Sequence, residues 1–231
     1  GEMALTIEDV KRKVSEKEQE NSLLRTRMEE DYQRWILTEY DPGDATLQKY
    51  TSNEPRAFAE KVISWITSAD LNIRIQLRAQ IEDDRKRANG KERFLIGSLR
   101  AADWRLLQRI QPPLKEQLAW YATIRGWYWG RATLAKLQGG STYVDVTPWD
   151  PLHVYWETGP QGPLWVCHKV NMSWEQIRSE YGIELPGGSR TIAIPVYDCY
   201  NGEENAIFSE GEWLKPPTPH AVPGLPVFFG N

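Results

Sequence analysis

Apolar positions change their period several times along the chain, and each change predicts an element. From Thr6 to Leu37 they are sparse and helically spaced: Ile7, Val10, Val14, Leu24, Met28 and Trp35, with Lys17 and Asn21 in the middle core slots. Thr6 with Asp9 three residues on approximates a capping box. The pattern predicts one long helix that meets a neighbour along part of its length. Its broken repeat falls short of three clean heptads, which argues against a coiled coil. Asp41-Pro42-Gly43-Asp44 reads as a turn. A second helix follows, started by Ser52 or Asn53 with Pro55 in its first turn, and carries Phe58, Val62, Trp65 and Ile66 on its apolar face. Leu71, Ile73, Ile75 and Leu77 then alternate with Asn72, Arg74, Gln76 and Arg78, the period of a half-buried strand. After a polar run and a break at Asn89-Gly90, Phe94, Leu95, Leu99, Ala102, Leu106 and Ile110 form a helical face that stops at Pro112-Pro113.

The stretch from Leu118 to Leu137 is read as an aromatic-rich central helix. Trp120, Ile124, Trp127 and Leu134 share one side, and Ala122, Gly126 and Gly130 form a bare strip for close packing. Gly139-Gly140 is expected to stop it. Two short strands flank a Thr147-Pro148-Trp149-Asp150-Pro151 corner, because prolines three apart do not fit a central strand. Further on, Leu164–Val170 reads as a strand. Ser173 caps a short helix closed by Gly182, Thr191–Tyr200 alternates, and 206–209 pairs with 212–215 across Glu210-Gly211. Pro216 to Pro226 is a proline-rich crossing. Helices first and strands later predict an α+β fold: N-terminal helices, one of them long, and a mixed or antiparallel β-rich domain packed on the central helix.

Composition adds three points. Eleven tryptophans in 231 residues suggest contact surfaces as well as a core. Cys167 and Cys199 alone suggest a reducing compartment without a disulfide framework, although spacing does not exclude their pairing. The net charge of −4 is segregated: residues 72–115 carry eleven basic against five acidic side chains, while both flanks are acidic. A solvated, charged helix pair explains that excess better than phosphate contact by Arg85, Lys86 and Arg87 does, since basic excess alone is weak evidence of nucleic-acid binding. No run of about 20 apolar residues predicts a membrane span. Gly1-Glu2 ahead of Met3 reads as an expression remnant.

Chemical motifs are sparse. No phosphate loop, dinucleotide fingerprint or nucleophile elbow occurs. His153 and His168 with Cys167 and Cys199 lack the ligand spacing of a zinc site, and His220 beside Pro219 suits a turn. Asp145, Asp150 and Glu157 near Trp149, Tyr155 and Trp156 have the residue types of a carbohydrate-active or sugar-binding module, against ordinary turn and cross-strand roles. Trp104 with Arg105 and Arg109 has the aromatic-basic mix of a single-strand binder, yet Trp104 fits a buried helical face equally well. These residues imply no catalytic centre, cofactor or metal.

One resemblance organises the whole. YTSNEPRAFAEKVISWITSADLNIRI (Tyr50–Ile75) resembles the early part of tailed-bacteriophage portal proteins. GWYWGRATL followed by YVDVTPWDPLHVYWE is similar to that family's passage into a wing-region strand with an Asp-Pro corner. MSWEQIRSEYG and PHAVPGLPVFFGN resemble its later landmarks, so the likeness spans about Tyr32 to Asn231. It implies a helical arm over residues 1–49 and a wing-like α+β domain over 50–231, an N-terminal piece without the stem, clip and crown. It also implies a non-enzymatic ring subunit, twelve copies at one capsid vertex, assembled in the host cytoplasm and carried in the virion. Its partners would be itself, the capsid, the packaging ATPase (terminase) and double-stranded DNA passing non-specifically, with no membrane. Trp35, Trp127, Trp129, Trp149 and Trp156 are the candidate subunit-interface residues.

Overall fold

The computed structural model describes residues 5–39, 43–44, 46, 50–70, 73–75, 82–136, 139–184, 193–220 and 222–231. Those residues form an α+β fold with six α-helices and eight strands in two antiparallel sheets. Two compact units emerge, Gly1–Arg27 with Trp149–Val227, and Met28–Pro148 with Phe228–Asn231. This division differs from an arm followed by a wing.

In the first unit, α1 (Ile7–Glu20) opens as the sequence predicts, with Thr6 Oγ1 accepting from Asp9 N at 3.3 Å. It does not continue as one long helix. The chain leaves helical geometry at Asn21 (φ −97, ψ 16) before α2 (Ser22–Trp35). Asparagine competes with the helix for its own backbone, and the polar slots Lys17 and Asn21 offer no apolar contact to hold a straight rod.

The five-stranded sheet runs β3-β4-β5-β6-β7, with β3 at Val154–Gly159, β4 at Gly162–Met172, β5 at Ile194–Tyr200, β6 at Glu204–Ser209 and β7 at Glu212–Pro219. Side chains alternate between its faces. One face presents Tyr155, Trp165, Tyr197 and Phe208 to Val10 and Val14 of α1. The other presents Ile194, Val196, Ile207 and Leu214 to Ile177 of α6 (Trp174–Tyr181). Ser173 caps α6 in a full capping box with Gln176, and Gly182 ends it at φ +68. Strand β7 extends through Pro219, well into the expected proline-rich crossing. Cys167 and Cys199 stand opposite each other on β4 and β5, Cα atoms 4.1 Å apart, fully buried and disulfide-bonded. That bridge answers the pairing that spacing left open, against the expectation of a chain without a disulfide framework; strand register brings the two together.

The second unit holds α3 (Glu54–Ser68), α4 (Glu82–Gln108), α5 (Leu114–Arg125) and a sheet ordered β2-β1-β8, with β1 at Tyr128–Lys136, β2 at Thr142–Trp149 and β8 at Val227–Gly230. The expected helix over Leu118–Leu137 is therefore half helix and half strand. Gly126 takes the left-handed conformation (φ +75), ends α5, and the chain re-emerges as β1. Gly139 and Gly140 (φ +112 and +88) lie between two strands and do not stop a helix. Asn89-Gly90 lies inside α4. Residues 73–75 form no strand; the rest of the predicted strand, Leu71–Leu77, lies outside the described residues, as do Asp41 and Pro42 of the predicted turn.

Gly130 has its own reason. It is buried in β1, where a Cβ would overlap the ring of Phe228 on β8. Gly130→Ala is expected to lose about 1–3 kcal/mol in chemical denaturation. Gly97→Ala, with open space around it on α4, should be neutral or stabilising by up to about 1 kcal/mol.

Candidate interaction surface

Helix α3 has apolar residues on two sides. Ala59 is buried, Val62 and Ile63 are half-buried, and Phe58 and Trp65 point outward, Phe58 at 70% exposure. Helix α4 repeats the arrangement. Ala102 and Leu106 join Leu114 and Val146 in the core, whereas Trp104 is 62% exposed and Leu107 is also exposed. Ile110, just past the helix end with φ +58, is 96% exposed. The predicted apolar faces are real, but their outer halves stay bare.

An apolar cleft of about 690 Å³ opens in the same unit, walled by Ile66, Phe94, Leu99, Leu118, Val144 and Phe228. Its charged groups serve the fold. Asp103 Oδ1 accepts from Leu114 N at 2.8 Å, and Lys115 Nζ donates to the carbonyls of Thr67 and Ala69. Beside it, Arg105 donates to the Val144 carbonyl, with its guanidinium 4.2 Å from the Tyr143 ring centre.

The five candidate interface tryptophans fare differently. Trp129 (1% exposed) stacks on Phe229 at 4.7 Å, and Trp149 (2% exposed) stacks on His168 at 4.7 Å. Both are core residues, which corrects their assignment to a surface. Trp35, Trp127 and Trp156 are half-buried, Trp35 meeting Trp120 edge-on at 5.4 Å. The sequence missed Phe58, Trp65 and Trp104 as surface residues because periodicity marks an apolar face without showing whether anything covers it. Arg85, Lys86 and Arg87 are exposed on α4, behind Glu82, Asp83 and Asp84, with Lys86 3.4 Å from Glu82.

Each carboxylate of the sugar-module reading has a local structural role. Asp145, in the second unit, pairs with Arg131 at 2.9 Å. In the first unit, Asp150 accepts from Leu152 N to start the one-turn helix Pro151–His153, and Glu157 pairs with Lys17 at 2.6 Å. Trp149 and Tyr155 are buried and offer no stacking platform. Among the described residues, no three His, Cys, Asp or Glu side chains form a metal-binding group, and no helix is long and apolar enough to cross a membrane. The ring nitrogens of His220 lie 3.0 Å from the carbonyls of Val222 and Asn201.

The densest polar cluster ties α1 and α2 to the sheet of the first unit. Glu18 accepts from Tyr155 Oη and Lys169 Nζ, both at 2.7 Å. Arg25 donates to the carbonyls of Leu152 and Val154 and stacks 4.0 Å over Tyr155. Burial alone would raise the Glu18 carboxyl, but the Lys169 and Tyr155 donors outweigh it and hold it below the usual glutamate value. The Lys17 hydrogen bond lowers Glu157 likewise. Burial, and then the bond to Glu18, push the Tyr155 hydroxyl upward.

No protein-family model matches the chain, and comparison with curated proteins finds no match.

A carboxylate depressed in the folded state adds stability above its unfolded value, about 4.3 for glutamate, and loses it as pH falls through the folded value. Unfolding free energy should therefore drop in acid below that value. Glu18→Gln is expected to cost about 1 kcal/mol at neutral pH and to flatten the acid limb, followed by urea titration at several pH values.

Proposed function

We propose that this chain is a structural subunit of a tailed-bacteriophage portal ring at the capsid vertex, through which DNA is packaged and ejected. The observation that carries the reading is the bare aromatic and aliphatic surface on α3 and α4: Phe58, Trp65, Phe94, Trp104, Leu107 and Ile110. Several large apolar side chains exposed on two helices mark a contact site, and a ring subunit needs different patches on its two sides. The phrases from Tyr50 to Asn231 that resemble portal proteins add their order of elements.

In this reading the partners are copies of the same chain, twelve to a ring, together with the capsid and the packaging ATPase, and the location is the virion. The net charge of −4 suits a wall past which DNA slides, since a strongly basic wall gains affinity by counterion release and slows passage. No turnover of substrate is required.

Gold-labelled antibody against the chain, applied to opened phage particles and viewed by electron microscopy, tests the reading. Label is expected at a single vertex. Label spread over the capsid, confined to the tail fibres or absent overturns it.

A further inference from the structure

We propose that the outer face of α4 on one copy docks against the acidic end of the five-stranded sheet on the next copy, a contact that rests on the ring-subunit reading. At 100° per residue, Lys86, Arg93, Arg100, Trp104 and Leu107 fall on one side of α4, opposite buried Ala88, Ala102 and Leu106. All five are exposed. Lys86 has Glu82 nearby, whereas Arg93 and Arg100 have no ion pair among the described residues. Past the acidic first turn, whose Glu82 falls on the same side, the face is thus cationic at Arg93 and Arg100 and apolar toward its end, with exposed Ile110 just beyond the helix. Tryptophan and arginine together are the residue types that carry most binding energy in protein contacts.

The first unit carries the complement. Met172 pairs with Ile194, Val196 with Ser209, and Ser209 with Glu212, so α6 and the β6–β7 turn lie at the same end of the sheet. Among the described residues, that end exposes Glu175, Glu180, Glu184, Glu210 and Glu212 against Arg178, which pairs with Glu184 at 3.6 Å. A recess of about 360 Å³ beside Trp174, Glu175, Arg178 and Ser179 lies on α6, open to a side chain such as Trp104. Opposite charge on two surfaces of one chain favours a head-to-tail contact between copies and disfavours a face meeting itself. Nucleic acid fits the cations but leaves Leu107 and Ile110 in water, so the second copy is the better occupant.

The test is sedimentation velocity of the full chain over a concentration series, at low and high salt. Wild type is expected to associate, more weakly in salt. Arg93→Glu with Arg100→Glu should weaken association by at least about tenfold, Trp104→Ala should weaken it too, and adding Glu175→Lys with Glu180→Lys to the arginine pair should restore it. These side chains are exposed, and circular dichroism is the check that the variants fold. Wild type that associates with no change in the arginine variant sinks this surface and leaves the ring reading standing. A wild type that never associates sinks both. Unchanged self-association with lost affinity for a DNA duplex reassigns the face to a polyanion and overturns the proposal.

Discussion

A small sheet can cover one side of the helices packed on it, and in the second unit those helices are apolar on more than one side. The three strands β2-β1-β8 meet the inner stripe of α4 through Ala132, Val144, Val146 and Phe228. Nothing comparable covers Phe58, Trp65, Trp104 or Leu107. The first unit makes the contrast. Its five-stranded sheet has α1 on one face and α6 on the other, and its exposed large apolar residues, among those described, are Leu23 and Leu164. One polypeptide thus contains a unit that satisfies itself and a unit with surplus apolar surface. At roughly 25 cal/mol per Å² that surplus is a standing driving force for association.

The satisfied unit owes its closure to a few polar ties as much as to its core. Glu18, Arg25 and Lys17 reach from the N-terminal helices to Tyr155, Lys169, Glu157 and the carbonyls of residues 152 and 154. The cluster fixes which way α1 lies, and Val10 and Val14 then seal the disulfide and the Tyr197–Phe208 stack beneath it. Sparse apolar spacing in α1 is therefore sufficient: two buried valines are held in place by charged residues around them.

What the sequence disclosed is what local chemistry determines. The Thr6 cap, the Ser173 cap, Gly182 and the Glu210-Gly211 hairpin all depend on residues a few positions apart and occur as read, whereas the Thr147–Pro151 corner shrinks to Asp150-Pro151 because β2 runs on through Pro148 to Trp149. The failures share one cause, which is competition decided at a distance. Apolar residues from Trp120 to Leu134 satisfy helical spacing throughout, yet Gly126 takes positive φ and the remainder pairs with β2 and β8. Asn89-Gly90 has the chemistry of a break, but a helix of 27 residues absorbs a glycine when its other turns are held. The cysteines lie 32 residues apart, and only strand register makes them neighbours. Trp129 and Trp149 lie in strands, where side chains on successive positions point to opposite faces, and counting tryptophans could not say which face is wet.

Charge follows the same logic at a larger scale. A net of −4 is unremarkable, yet Lys86, Arg93 and Arg100 share one exposed side of α4, while Glu175, Glu180, Glu184, Glu210 and Glu212 gather at one end of the five-stranded sheet. Between molecules such segregation matters, since complementary patches raise encounter rates and reject the face-to-face pairing that apolar surface alone would allow. In the contact proposed between copies, apolar surplus would supply the tendency to associate and charge complementarity the direction. A subunit meant for a closed ring needs both, because an apolar patch without polarity leads to symmetric dimers as readily as to a ring.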